Sequence, residues 1–389
     1  MLIGIVGAPN KGKSTLFSAM TLIEVDIADY PFTTIKPNIG VGYVARKCVE
    51  QELGVKCKPR NSLCINGIRR IPVNLVDVAG LVPGAHLGKG MGNQFLNDLI
   101  NADVLIQVVD LSGKTDVNGS VSESSDPALE VEMIKEEMSS WLAGIIMKHK
   151  STFARRNDGD VALSELLSGF RCDIAQIRDA AAANALSASK INWSEDEAKR
   201  FAASLLAVNK PIIIAANKMD QSPKDALAKL KTRMQGHIVV GCSAAVELAL
   251  RKAAKAGIID YEPGSDSFAL KGQPGIGQKN ALDFMAKYIK ENRGTGVEQL
   301  LDAAVFTLLK KIVVYPVEDE NKYTDHFGNV LPDARLIGDG ATATDLAASI
   351  HTDLARHMLH AVDAKRKIRI AKDYKLKDND VIKIVSSAK

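Results

Sequence analysis

Short apolar runs of strand length recur along the chain. They are GIV at 4–6, VNLVDVAG at 73–80, ADVLIQVVD at 102–110, PIIIAANKMD at 211–220 and VVGCSA at 239–244. Most lack the polar–apolar alternation of a half-exposed sheet, so they predict strands buried on both faces. The segment LCINGIRRIPVNLVD holds Asn66-Gly67 between strand-like runs, the signal for a hairpin turn. From about 112 to 208 the period lengthens. SESSDP reads as a cap and proline start for ALEVEMIKEEMSSWLAGIIMKHK, whose apolar residues recur at helical spacing. ALSELLSGF, DIAQIRDAAAANAL and SEDEAKRFAASLLAV continue as helices, and the strand pattern returns at 211. The helical stretch is therefore an insertion within a domain that had already begun.

Further helices are predicted over 222–234, 245–257, 281–292 and 296–311, with a Gly/Pro-rich loop at about 262–278. IVVYPVED at 312–319 is strand-like. A turn-rich stretch follows, then a helix from Thr344 through about His360, and RIAKDYKLKDNDVIKIV ends in an apolar strand. Two strands, a helix and two strands fit a small β-grasp unit. The predicted division is 1–275 as the first domain, carrying the 112–208 insertion, 276–311 as a helical connector and 312–389 as the last module.

The 389 residues call for two or three domains, and 46% apolar with 25% charged residues is ordinary globular composition. A net charge of +4 allows an RNA-containing partner without requiring one. The apolar runs all fall short of the roughly 20 residues that span a bilayer. The amino-terminal run is too short for a signal peptide, so no membrane contact and a cytoplasmic location are expected. Five cysteines fit reduced thiols.

The candidate chemistry starts after the first strand. Gly7-Ala8-Pro9-Asn10-Lys11-Gly12-Lys13-Ser14, followed by Thr15, fits G-x-x-x-x-G-K-[ST]. Glycines let the backbone wrap a phosphate with its N–H groups inward, and the helix start adds its positive dipole end. Lys13 brings a point charge to the β- and γ-phosphates, and the Ser14 hydroxyl is a hard ligand for Mg²⁺. Lys11 is read as a solvent-facing cation beside the phosphates, with direct contact to them as the alternative. Asn217-Lys218-Met219-Asp220 closes the 211–220 strand. A carboxylate at Asp220 can accept two hydrogen bonds from guanine, and adenine would leave it unpaired. Asp77 would hold Mg²⁺ through water and the Gly80 amide would meet the γ-phosphate. In YPFTTIKPN, Thr34 is the preferred metal-reaching threonine, with Thr33 second. Ser243 and Ala244 are expected to offer backbone N–H groups to the guanine carbonyl.

G-A-P-N-K-G-K-S-T, Y-P-F-T-T-I-K-P-N, the glycine-rich D-V-A-G-L-V-P-G-A-H-L-G-K-G-M-G-N-Q-F-L and N-K-M-D together resemble the Obg family of GTPases, most closely its YchF-like branch. The resemblance implies an α/β fold: a doubly wound, mostly parallel P-loop GTPase domain with a helical insertion and a C-terminal TGS-like β-grasp domain. It implies GTP and GDP as ligands with Mg²⁺, slow unaided hydrolysis, and the ribosome or ribosomal RNA as partner, with no DNA specificity. Many YchF-like proteins have an altered fourth motif and are associated with ATP; the intact Asn217-Lys218-Met219-Asp220 favours GTP. Two alternatives stand beside this reading: an ATPase of the same fold, and a nucleotide-sensing RNA-binding module with incidental hydrolysis. Leu81 stands where many small GTPases carry a water-orienting glutamine. The catalytic residue is left unassigned, with His86 and Gln107 as candidates, Gln107 replacing the histidine of the YchF branch. Asn10 resembles residues that ligate a monovalent cation in related GTPases, which raises K⁺ stimulation. Residues 365–377 hold seven basic residues and one acidic, which suits phosphate backbone contact or a solvated edge. His351, His357 and His360 are read as surface residues on or near one helix. Cys48, Cys57 and Cys64 lack C-x-x-C spacing and a fourth local ligand, so metal binding there stays open.

Overall fold

The computed structural model describes residues 1–21, 38–78, 80, 83–84, 100–170 and 172–387. Thr33, Thr34, Leu81 and His86 lie outside the described residues. The chain folds as two compact units. One comprises Met1–Leu22, Asn38–Gly40 and Asn74–Leu300, and the other contains Val41–Val73 and Leu301–Lys389.

In chain order the strands are β1 (Leu2–Val6), β2 (Ile39–Lys47), β3 (Leu63–Ile65), β4 (Ile68–Asp77), β5 (Val104–Asp110), β6 (Ile212–Asn217), β7 (Val239–Gly241), β8 (Ile259–Asp260) and β9 (Ala269–Leu270). The carboxyl-terminal strands are β10 (Lys311–Val317), β11 (Arg335–Gly338), β12 (Met358–Asp363), β13 (Ile368–Ile370) and β14 (Asp380–Ser386). The longer helices are α1 (Lys13–Thr21), α2 (Pro127–Lys148), α3 (Gly159–Leu166), α4 (Ile174–Ala182), α5 (Glu195–Asn209), α6 (Ala226–Arg233), α7 (Ala244–Lys255), α8 (Ile276–Asn292) and α9 (Ala343–Ile350).

In the first unit β1 lies between the end of β4 and β5, and β6 and β7 extend the sheet; all these pairings are parallel. Every residue of β5 is buried, as a run that is apolar but for Gln107 up to Asp110 predicts. Helices cover both faces. One core joins Val6, Val76 and Leu105 to Leu142 of α2, Leu163 of α3, Ile177 of α4 and Phe201 of α5. The other joins Val109, Ile214 and Val239 to Val131 of α2 and Leu230 of α6. The insertion is helical, as expected. Asp126 caps α2 by accepting from the Ala128 amide, with Pro127 at the first helical position. Ser194 and Glu197 form a reciprocal capping box on α5.

In the second unit β3 and β4 form the Asn66-Gly67 hairpin, pairing Leu63 with Arg70 and Cys64 with Arg69. Both turn residues have positive φ, 51° and 76°, as a type I′ turn requires. The carboxyl-terminal module has five strands in the order β11-β10-β14-β12-β13, one more than the expected four, and α9 packs on them through Leu346 and Ala347. The helix expected to reach His360 stops at Ile350. His351 is extended (φ −156°, ψ 139°) and caps the short turn Thr352–Arg356. The chain then enters β12, so His360 sits on a strand, apart from a helical His357–His360 face. Buried Met358 and Ala361 flank half-exposed His360 within a single strand that pairs with β14.

The Phe201 ring is fully buried with its centroid 4.7 Å from that of Trp193. Phe201→Ala should cost about 3–5 kcal/mol and lower the urea midpoint of the first unit, read by Trp fluorescence. An unchanged midpoint would show that the insertion contributes little to the core it covers.

Candidate functional site

The loop after β1 must turn sharply at both ends, and two glycines make that possible. A Cβ at Gly7 (φ 152°) would lie 2.6 Å from the Val108 carbonyl oxygen. At Gly12 (φ 91°) it would lie 2.4 Å from Asn217 Nδ2. The second clash marks the meeting of two motifs some 200 residues apart in sequence. Asn217 Nδ2 donates to the Lys11 carbonyl (2.9 Å), and Asn217 Oδ1 accepts from the Ala244 amide (3.0 Å). One side-chain amide thus ties the phosphate loop to the segment after β7.

Lys13 opens α1, and its Nζ donates to the Ala8 carbonyl at 2.9 Å. Burial pulls its ammonium below the ordinary lysine range, and Asp77 opposes that pull. Ser14 Oγ donates to Asp77 Oδ2 at 2.7 Å, while Asp77 Oδ1 is buried without a hydrogen-bond partner among the described residues. A hard hydroxyl beside a carboxylate with an orphaned oxygen is a donor set that fits Mg²⁺. A Cβ on Gly80 would approach Lys13 Nζ to 3.3 Å, which puts its backbone beside the same group.

Lys218 takes a left-handed conformation (φ 62°) at the end of β6. Its Nζ donates to the Asn10 carbonyl (2.9 Å) and to Asp110 Oδ2 (2.8 Å). Asp220 Oδ1 accepts from Ser243 Oγ at 2.6 Å, which fixes the carboxylate. Ser243 also caps α7. Its amide donates to the Thr295 carbonyl (2.9 Å), and the Thr295 hydroxyl donates to buried Glu247 (2.6 Å). The two amides expected to meet a guanine carbonyl are therefore both donated within the protein. The observed work of Ser243 and Ala244 is to hold Asp220 and Asn217.

Lys11 also departs from expectation. Its side chain is fully buried: Nζ donates to Glu130 Oε1 (2.6 Å) and to the Thr115 carbonyl and hydroxyl (both 2.9 Å). A cation sealed beneath the loop needs a counter-charge, and α2 supplies one. Burial pushes the Glu130 carboxyl up to about 7, against the opposing pull of Lys11. Beside it lies Asp110. Burial raises its carboxyl, but hydrogen bonds from Lys218, Ser112 and Thr115 outweigh that and hold it below the usual range. Gln107 is fully buried within β5, and its Nε2 donates to the Glu130 carbonyl (2.9 Å). A group sealed there cannot orient a solvent water, so Gln107 is withdrawn as a catalytic candidate. The Asn10 side-chain amide donates to the Gly119 carbonyl (2.9 Å), at the root of the insertion.

Asp110, Thr115, Glu130, Glu247 and Thr295 support the site without belonging to any motif. Two carried a signal: Asp110 is a carboxylate ending a strand that is apolar but for Gln107, and Glu130, like Glu137, interrupts the apolar stripe of a long helix.

Several known proteins and families are similar to this chain. Residues 2–149 match the model of the 50S ribosome-binding GTPase family, 215–319 that of the Obg-like GTPase YGR210-like G4 motif-containing domain, and 327–386 that of the TGS domain. A GTP-binding protein of Methanocaldococcus jannaschii, MJ1332, is 47% identical over the full length of both chains. The chain belongs to the Obg-like, YchF-type GTPase family. The solved structure of a GTP-binding protein from Pyrococcus horikoshii is 38% identical, with a TM-score of 0.80 over 99% of this chain and 100% of that one. A protein of Mycoplasma genitalium named ribosome-binding ATPase YchF is 34% identical over 55% of each chain. The family fold is the P-loop GTPase sheet with its helical insertion and a C-terminal TGS domain.

The Glu130 shift has a pH signature. In the unfolded chain this carboxyl ionises near its ordinary 4.5, and in the native state near 7, so the native state holds the extra proton between those values. The associated stability is present at low pH and is lost as pH rises through 7. Wild type should therefore lose more of its thermal midpoint between about pH 5 and pH 8 than Glu130→Gln does. Equal losses would show that Glu130 is ionised in the native state throughout.

Proposed function

We propose that this protein binds GTP with Mg²⁺ and hydrolyses it to GDP and phosphate, slowly when unaided, as a conformational switch acting on the ribosome or another RNA–protein particle. The observation that carries the nucleotide choice is Asp220, held through Ser243 at the end of an intact Asn217-Lys218-Met219-Asp220 motif. A fixed carboxylate with acceptor capacity suits the ring N–H and exocyclic amine of guanine. The loop of Gly7 to Thr15 would take the phosphates, Lys13 pairing with the outer ones. Ser14 and Asp77 would hold Mg²⁺, which supplies charge neutralisation at the phosphate oxygens when bound. Thr34 and Gly80 are proposed as the groups that respond to the γ-phosphate.

The ribosomal part rests on the family and on the TGS domain. Arg369, Lys372, Lys375 and Lys377 are exposed on that domain, a charge pattern suited to a phosphate backbone. A second reading, ATP hydrolysis, is favoured by the relative named an ATPase; the intact base motif argues for GTP.

Lys13→Ala should weaken GTP binding roughly 30-fold or more, through loss of a charge-assisted contact. Asp220→Asn should lower GTP affinity on the order of 100-fold and raise that for xanthosine triphosphate. Isothermal titration with GTP, ATP and xanthosine triphosphate reads both. Preference for ATP over GTP in the wild type would overturn the guanine assignment. Cosedimentation with ribosomes under a non-hydrolysable GTP analogue, GDP or no nucleotide tests the switch, and binding equal in all three would reject it.

A further inference from the structure

The second unit brings together three cysteines that the sequence leaves scattered. Cys48 follows β2, and its amide donates to the Gly67 carbonyl at the hairpin turn (2.8 Å). Glu50 opens a single helical turn that ends at Gly54, whose φ of 64° reverses the chain. Cys57 returns on the far side of that reversal, its amide donating to Glu50 Oε2 (2.9 Å). Cys64 lies on β3, and its thiol donates to Glu50 Oε1 at 3.3 Å. The three sulfurs and one Glu50 oxygen all lie within 4.8 Å of one another. All five cysteines of the chain are free.

We propose that Cys48, Glu50, Cys57 and Cys64 form a structural zinc site. Tetrahedral Zn²⁺ with bonds of about 2.0–2.3 Å sets its ligands about 3.3–3.8 Å apart, so closure of the observed cluster takes shifts of about 1 Å. Glu50 is the fourth ligand that spacing alone did not reveal. Three thiolates select zinc over magnesium or calcium, and four protein ligands leave no open position, the pattern of a structural centre. The Cys57 amide, donating to Glu50 Oε2, orients the carboxylate so that Oε1 faces the sulfurs. On binding, the metal takes the place of the thiol protons, which leave to solvent, and no redox change occurs.

A second observation is independent of the ligands' own geometry. Arg69 is the cross-strand partner of Cys64 and is fully buried. Its Nη2 donates to the Leu331 carbonyl and its guanidinium carbon lies 5.3 Å from the centroid of the Tyr315 ring, but its Nε and Nη1 have no hydrogen-bond partner among the described residues. A buried, under-satisfied guanidinium is costly unless negative charge lies nearby. Zinc with three thiolates and a carboxylate carries about −2 by simple count, and it would supply that charge. The centre would also pin the loop after Cys57, where the Lys58 amide donates to the Val330 carbonyl (2.8 Å) and the Arg60 amide to the Pro332 carbonyl (2.7 Å). Zinc would therefore stabilise the junction between the loop after Cys57 and the start of the TGS segment.

The test uses the full-length protein, purified untagged under reducing conditions and without chelator. Elemental analysis should find close to one zinc per chain. Chelator-stripped protein should bind Co²⁺ with the absorption of a tetrahedral thiolate site, and zinc should displace it. Cys57→Ser and Cys64→Ser should lose the metal, Cys172→Ser should keep it, and Glu50→Gln should weaken binding at least about tenfold. Should the serine variants fail to fold, the cobalt spectrum of the wild type still decides. Absence of zinc together with no cobalt–thiolate spectrum would overturn the proposal. So would a Cys48–Cys57 disulfide found by mass spectrometry in protein that binds no zinc once reduced.

Discussion

Asn217 is the constraint on which the nucleotide site depends. Its amide bonds to the Lys11 carbonyl on one side and to the Ala244 amide on the other, so two loops from opposite ends of the first unit share one rigid group. The contact is possible because residue 12 has no side chain: any Cβ there would meet Asn217 at 2.4 Å. Gly12 and Asn217 are thus one requirement written at two positions. The hydrogen bonds of Lys218 to the Asn10 carbonyl and of Ser243 to Asp220 extend the same brace, which sets the spacing between a phosphate end and a base end.

Beneath the brace lies a layer of buried charge. Lys11 and Glu130 form one pair, and Lys218 and Asp110 form another with Asp110 fully buried. Thr115 links the two pairs, donating to Asp110 Oδ2 (2.6 Å) and accepting from Lys11. Such pairs add little net stability against apolar replacements, yet removing one partner leaves an uncompensated charge. Their effect is to fix one arrangement of the loop above them. The cation that Lys11 brings beneath the loop is matched by Glu130 on the buried face of α2.

Much of this was legible from the chain alone. The parallel core strands, the helical insertion, the Asn66-Gly67 hairpin and the capped start of α2 follow from periodicity and local turn chemistry, which act over a few residues. Ser14 and Asp77, both expected near Mg²⁺, are hydrogen-bonded to each other, whereas the bond from Asn217 to the phosphate loop is one that the sequence does not announce. The departures at the nucleotide site share one cause. Lys11, Gln107 and the Ser243 and Ala244 amides were judged by residue type and sequence position, whereas their partners come from Glu130, Thr295 and Asn217, distant contacts that a linear pattern does not encode. The overlong helix ending at His360 failed for a local reason, because His351 adopts an extended conformation in a run whose spacing also permits a helix. Glu50 joined the cysteines only once a left-handed glycine had folded the loop back.

The attachment of the insertion gives Asn10 and Gly119 a mechanical meaning. The segment leading into α2 is bolted to the phosphate loop: Asn10 bonds to Gly119, and a Cβ at Gly119 would lie 2.6 Å from the Pro9 carbonyl oxygen. The route from the insertion to the phosphate loop is thus one hydrogen bond long, at a crossing with no room for even a methyl group.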